Sequence, residues 1–201
     1  MLELIGAGGI IGYIKSVTVN NCSINNCSNS GIVTAGNQQV GGIIGNQEGG
    51  KVENCSNYGN IEAKSNAYRG IVGGIVGIQI AGDVTNVYNS GNVKAGNSTS
   101  EIDAVGGIIG YQIAGNLINA YNKGTLEGGE AVGGIVGQKK VTGAIVQKTF
   151  YNTTESIKGI GSESDDTENI TAINDDDTKT KKVPEIFNTL KEFLASSLIT
   201  K

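Results

Sequence analysis

Gln39-Val-Gly-Gly-Ile-Ile-Gly-Asn-Gln47 contains the segment on which the fold reading turns, Gly-Gly-Ile-Ile/Val-Gly. That segment occurs five times, at Gly8–Gly12, Gly41–Gly45, Gly73–Gly77, Gly106–Gly110 and Gly133–Gly137, with intervals of 33, 32, 33 and 27 residues. A period in this range marks a solenoid or an array of stacked units. A second block follows the first four copies: Asn26-Cys-Ser-Asn-Ser-Gly31, Asn54-Cys-Ser-Asn-Tyr-Gly59, Asn86-Val-Tyr-Asn-Ser-Gly91 and Asn119-Ala-Tyr-Asn-Lys-Gly124. The first unit carries an insertion near Thr18–Ser23, and a degraded fifth copy stands at Phe150-Tyr151-Asn152.

Aligned on the closing Gly, the units resolve into columns. Apolar columns are Ile24, Val52, Val84, Leu117; then Cys27, Cys55, Val87, Ala120; then Val33, Ile61, Val93, Leu126. Two columns are Asn in all four copies: Asn26, Asn54, Asn86, Asn119, and Asn29, Asn57, Asn89, Asn122. Short runs rich in Ile and Val, bounded by Gly or Asn, are strand chemistry, and each unit reads as three short strands. Stacked in register, such units make an all-β parallel solenoid of about four to five coils, with equivalent residues about 4.8 Å apart. Stacked Asn amides can donate to one coil and accept from the next, and Asn also tolerates a left-handed backbone at coil corners. Val40 and Ile44 alternate onto one face and Ile43 onto the other, so the parity of the Gly-Gly-Ile strands stays open at this level.

Composition agrees. Among 201 residues there are 32 Gly, 22 Asn and 26 Ile, but one Pro, and Pro would delete a ladder donor in each coil. The absence of His removes Ser-His-Asp triads, Cys-His pairs and imidazole zinc sites. A net charge of −4 with 5% aromatics argues against nucleic acid as a partner. No apolar run is long enough to span a membrane as a helix.

The pair Val132-Gly-Gly-Ile-Val-Gly137 and Asn86-Val-Tyr-Asn-Ser-Gly-Asn-Val93 resembles the GLUG repeat of bacterial surface proteins, found in large adhesins and in the non-catalytic N-terminal part of IgA-cleaving metallopeptidases. The resemblance covers about residues 4–154. It implies a right-handed β-helix and an extracellular setting, and no activity: the peptidase chemistry needs an H-E-x-x-H motif, which a chain without His does not carry. The first two units depart from the pattern, with Ser28 and Ser56 where Tyr88 and Tyr121 stand later.

The chain thus divides into repeats (1–154), an acidic polar stretch (155–182) and an amphipathic segment (183–201). Asp175-Asp-Asp177 lacks the Gly and distal Glu of a calcium loop, so no metal or cofactor is expected. Val183-Pro184-Glu185 opens a predicted helix with Phe187, Leu190, Leu194 and Leu198 on one stripe, a cap for the last coil. The start, Met1-Leu-Glu-Leu-Ile5, has neither a basic leader nor a cleavage site, and the expectation is a piece of a longer protein. Cys22, Cys27 and Cys55 match no metal spacing, and are expected as free thiols.

The expected function is that of a non-catalytic, extracellular structural or adhesive module on a bacterial surface, binding a glycan or protein and existing as a monomer or in weak end-to-end association. Tyr58, Tyr88, Tyr111 and Tyr121 are its candidate contacts. The alternatives are an accessory domain of a secreted IgA-type metallopeptidase and a carbohydrate-active β-helix enzyme. The enzyme needs carboxylates converging in a groove, and the scattered Glu48, Glu53, Glu62, Asp83, Asp103 and Glu127 form no column.

Overall fold

The computed structural model describes residues 6–14, 22–36, 38–64, 70–96, 103–140, 143–152, 157–162 and 169–173. Within these, every regular element is a strand and every strand pairing is parallel. The first coil holds β1 (Gly6–Gly8), β2 (Ile11–Ile14), β3 (Ser23–Asn25), β4 (Ser28–Asn29) and β5 (Val33–Ala35). The second holds β6 (Gln38–Gly41), β7 (Ile44–Gln47), β8 (Lys51–Asn57) and β9 (Ile61–Ala63). The third repeats it with β10 (Gly70–Gly73), β11 (Val76–Gln79), β12 (Asp83–Asn89) and β13 (Val93–Ala95). The fourth has β14 (Ala104–Gly106), β15 (Ile109–Gln112), β16 (Gly115–Asn122) and β17 (Leu126–Glu127). Beyond it lie β18 (Ala131–Lys139), β19 (Ala144–Asn152), β20 (Lys158–Ile160) and β21 (Ile170–Ile173). The molecule is a parallel β-solenoid of about four turns. Most of the insertion expected near Thr18–Ser23, up to residue 21, and the helix expected over 183–201 lie outside the described residues.

The second, third and fourth coils each have four strands where the sequence suggested three. In the first four copies the Gly-Gly-Ile block is not one strand: it bends at its second Gly and the following Ile, and splits into two arms such as β6 and β7, whereas the fifth copy runs through the single strand β18. The arms pack against each other, and Gly makes that possible. A Cβ on Gly77, in β11, would lie 2.8 Å from the Val40 nitrogen in the first arm of the preceding coil; one on Gly110 would meet the carbonyl carbon of Val72 at 2.9 Å. Both contacts are with backbone, which cannot swing aside as a side chain can.

This arch partitions the interior. Ile43 and Ile44 enter one apolar cluster with Val52, Cys55, Val84, Val87 and Leu117. Val40 enters another with Ile61, Ala63, Val93 and Ala95. The parity left open by the sequence is thereby resolved: Val40 and Ile44 face different cores, because the bend at Gly42 lies between them. Full burial of Ile or Val side chains contributes about 1.5–3 kcal/mol each, so both clusters carry the fold.

The sheet of β8, β12 and β16 shows how the Asn columns serve the core. Val84 and Val87 are both buried although three residues apart, an odd spacing that simple alternation would send to opposite faces. Asn86 lies between them with φ +55°, and Asn26, Asn54 and Asn119 share that left-handed conformation. Asn54, Asn86 and Asn119 therefore sit inside a strand, not at coil corners as expected, and Asn26 lies in the break between β3 and β4. Each one restarts the alternation so that a second apolar residue turns inward. The tight turns that precede this sheet use Gly instead, at φ +93° in both Gly82 and Gly115.

Candidate functional site

The recurrent polar residues are joined along the solenoid axis. The inner column runs in one direction: Asn29 Nδ2 donates to Asn57 Oδ1, Asn57 to Asn89 and Asn89 to Asn122, each at 2.8 Å. Each amide also turns back on its own corner. Asn89 Nδ2 donates to the Gly91 carbonyl at 2.9 Å, and the Gly91 N–H donates to Asn89 Oδ1 at 3.2 Å. Asn57, Asn89 and Asn122 are almost wholly buried, so these bonds offset the desolvation of amides placed between two apolar clusters. The second Gly of each block makes the space: a Cβ on Gly42 would stand 2.5 Å from the Asn57 side chain, and one on Gly74 the same distance from Asn89.

The outer column runs the opposite way. Asn119 Nδ2 donates to Asn86 Oδ1 at 3.0 Å, and Asn86 to Asn54 at 3.1 Å. Its first step departs from the expectation: Asn54 donates to Asn25 Oδ1, at 3.0 Å, rather than to Asn26. At the other end the fifth coil has Lys148 in the Asn position, at φ +51°, and Asn119 Oδ1 is buried without a partner.

A third column escaped the sequence reading. Gln47, Gln79 and Gln112 are completely buried and in register. Gln112 Nε2 donates to Gln79 Oε1 at 3.0 Å, and Gln79 Nε2 to the Gly82 carbonyl at 2.9 Å, tying the second arm to the following turn. The signal was present, as Gln recurs six residues after the first Gly of three blocks. These Gln lie two residues beyond the Gly-Gly-Ile-Ile/Val-Gly segment, where a polar residue after a strand run reads as solvent-facing.

Three of the four candidate Tyr come together. The Tyr58 and Tyr88 ring centroids are 6.0 Å apart at 66°, and those of Tyr88 and Tyr121 are 5.6 Å apart at 35°. Tyr88 and Tyr121 occupy one column, outward on the sheet that carries the Asn ladders, and Phe150 follows them in register. Tyr58 is the exposed end of the strip, at 40% of its surface. Burial, with the neighbouring Tyr58, pushes the Tyr88 hydroxyl above its ordinary pKa, opposed by a hydrogen bond with Ser90. Tyr111 is not part of this strip. It stands in the second-arm sheet, in a column with Tyr13, Asn46, Ile78 and Gln138, because its place after the Gly-Gly-Ile block puts it on a different strand of the coil.

The charged residues form surface columns. Contrary to the expectation that the carboxylates form no column, Glu62 and Glu127 share one with Lys94 between them on the outer face of the small sheet, and Lys94 Nζ lies 2.6 Å from Glu127 Oε1. Glu127, and more weakly Glu62, raise the Lys94 pKa. Both partners are well exposed, and such pairs contribute little. Among the described residues no three of His, Cys, Asp and Glu gather as a metal site, and no helix is long and apolar enough to cross a membrane.

Fold and ladders together define a β-solenoid repeat module, in which each coil is bound to the next through its own backbone and amides. The family model of the GLUG motif matches twice, at residues 36–62 and 68–94, so two successive coils carry GLUG repeats. GLUG is a non-catalytic repeat motif. No curated protein and no solved structure matches the chain.

Proposed function

We propose that this chain is a non-catalytic structural and adhesive module of a larger bacterial surface or secreted protein, holding a flat face outward on a stiff solenoid. The observation that carries this reading is where the polar side chains go. The Asn and Gln columns bond coil to coil, which stiffens the axis and leaves the outward strip of Tyr58, Tyr88 and Tyr121 as the aromatic feature of the exposed sheet. Aromatic rings with a polar tip suit contact with a glycan or protein, since they offer apolar area at low entropic cost.

Binding of the purified chain to immobilised glycans and to fixed host cells tests the adhesive part. Tyr58→Ser is the informative variant, because Tyr58 is the most exposed ring of the strip and its column already holds Ser30 and Ser90. Binding that falls about tenfold with an unchanged melting temperature supports the reading; each 1.4 kcal/mol of lost contact gives that factor. Wild-type binding no greater than that of a control protein would leave a spacer without an adhesive role.

A further inference from the structure

We infer that Cys27 and Cys55 are an oxidisable pair, a disulfide site that clasps the first coil of the solenoid to the second. The two residues are neighbours across β4 and β8: Ser28 pairs with Ser56, and the Ser56 N–H donates to the Cys27 carbonyl at 3.0 Å. Paired strands hold their Cα atoms about 4.8 Å apart, inside the span that disulfides accept. Both thiols sit just after a left-handed Asn and take the same direction. Cys27 Sγ donates to the Asn25 carbonyl at 3.4 Å, and Cys55 Sγ to that of Glu53 at 3.1 Å. Cys55 Sγ also reaches across the coil boundary to the Ile24 carbonyl at 3.7 Å, so it already leans toward the coil that carries Cys27.

The first coil is where such a clasp has an effect. Its Val33 and Ala35 are only partly covered, whereas Val93 and Ala95 in the third coil are 1% and 3% exposed. A bond from Cys27 to Cys55 closes a loop of about 28 residues, enough to restrain the edge coil when it opens. Accessibility differs within the pair, with Cys27 intermediate and Cys55 buried, while Cys22 stands exposed outside it.

That gradient sets the order of the chemistry. With oxidised glutathione as the oxidant, the Cys27 thiolate attacks one of its sulfurs, forms a mixed disulfide and releases one glutathione thiolate. Cys55 then loses its proton to solvent and attacks the Cys27 sulfur, expelling the second glutathione. Two electrons pass from the protein thiols to the glutathione pair, and two protons are released. Burial is the main cause that lifts the Cys55 thiol from 9.0 to about 11, so the closing step speeds up with rising pH over that interval.

The test is to incubate the reduced full chain with oxidised glutathione, denature it, count thiols and map peptides without reduction. The free thiols are expected to fall from three to one, with Cys22 free and Cys27 linked to Cys55. In Cys22→Ser the same link is expected with no thiol left. Amides of β3 and β4 are expected to exchange about tenfold more slowly in the oxidised protein. Three remaining thiols, glutathione adducts without the internal link, a bond made by Cys22, or equal exchange in both forms would each overturn the proposal.

Discussion

At the scale of single residues, the ladders specify more than the type Asn. In the inner column each amide uses both its donor and its acceptor, so Asn89→Ala removes contacts with Asn57, Gly91 and Asn122 at once. With the cavity included, the expected loss is about 2–4 kcal/mol in urea unfolding. Lys148 is the converse case. A left-handed backbone costs most residues about 1–2 kcal/mol, and Asn tolerates it better. Lys148→Asn would also offer a donor to the unpartnered Asn119 Oδ1, so a gain of about 1 kcal/mol is expected in the same measurement. Cys55 gives a pH dependence of known sign. Its folded pKa is raised, so the stabilisation from keeping this thiol neutral is complete below 9.0 and is lost as pH climbs toward about 11. Cys55→Val, which matches Val87 in the same column, should lack that part of the alkaline loss in reduced protein, as followed by thermal melts across pH 8–11.

At the scale of elements, the arch depends on the second Gly of each block. Gly74→Ala would place a Cβ 2.1 Å from the Gly107 carbonyl oxygen and 2.5 Å from Asn89, and neither the backbone nor the laddered amide can move away. A loss of about 3 kcal/mol or failure to fold is expected. Gly36→Ala is the control, since nothing lies within 4 Å of its added carbon. Equal melting temperatures for the two variants would contradict the arch geometry. The fifth coil shows what replaces the arrangement when a ladder ends. Tyr151 takes the inner Asn position beneath Gly134 and donates its hydroxyl proton to the Ile157 carbonyl at 2.9 Å. A buried ring thus closes the polar column at that end.

At the scale of the molecule, each coil bonds to its neighbours alone, so local stability should vary along the axis rather than be uniform. Amide exchange is expected to be slowest in β8, β12 and β16, where Val52, Val84 and Leu117 are fully buried, and fastest in β1 and β5. Uniform protection would show that the solenoid opens as one unit. Stacking also explains why so few aromatics suffice. Two apolar clusters run the length of the described coils and are filled mainly by Ile, Val, Leu, Ala and Cys, with Tyr151 the aromatic member and each coil covering the next.

The sequence by itself determined the solenoid, its period, the in-register columns and the two Asn series, because a repeated unit with β-branched runs can bury its apolar positions only by stacking on a copy of itself. The resemblance carried by those same blocks matched the family found over residues 36–62 and 68–94. Only the tertiary structure decided that Val40 and Ile44 enter separate cores, that Asn86 resets a strand instead of turning a corner, and that Tyr111 stands apart from Tyr88. Alternation along a strand is a local property and can be counted from residue to residue. The bend at Gly42, the left-handed step at Asn86 and the close passage of Gly77 over Val40 interrupt that count. The last of these is a contact between different coils, fixed by how closely two backbones approach once the chain has folded.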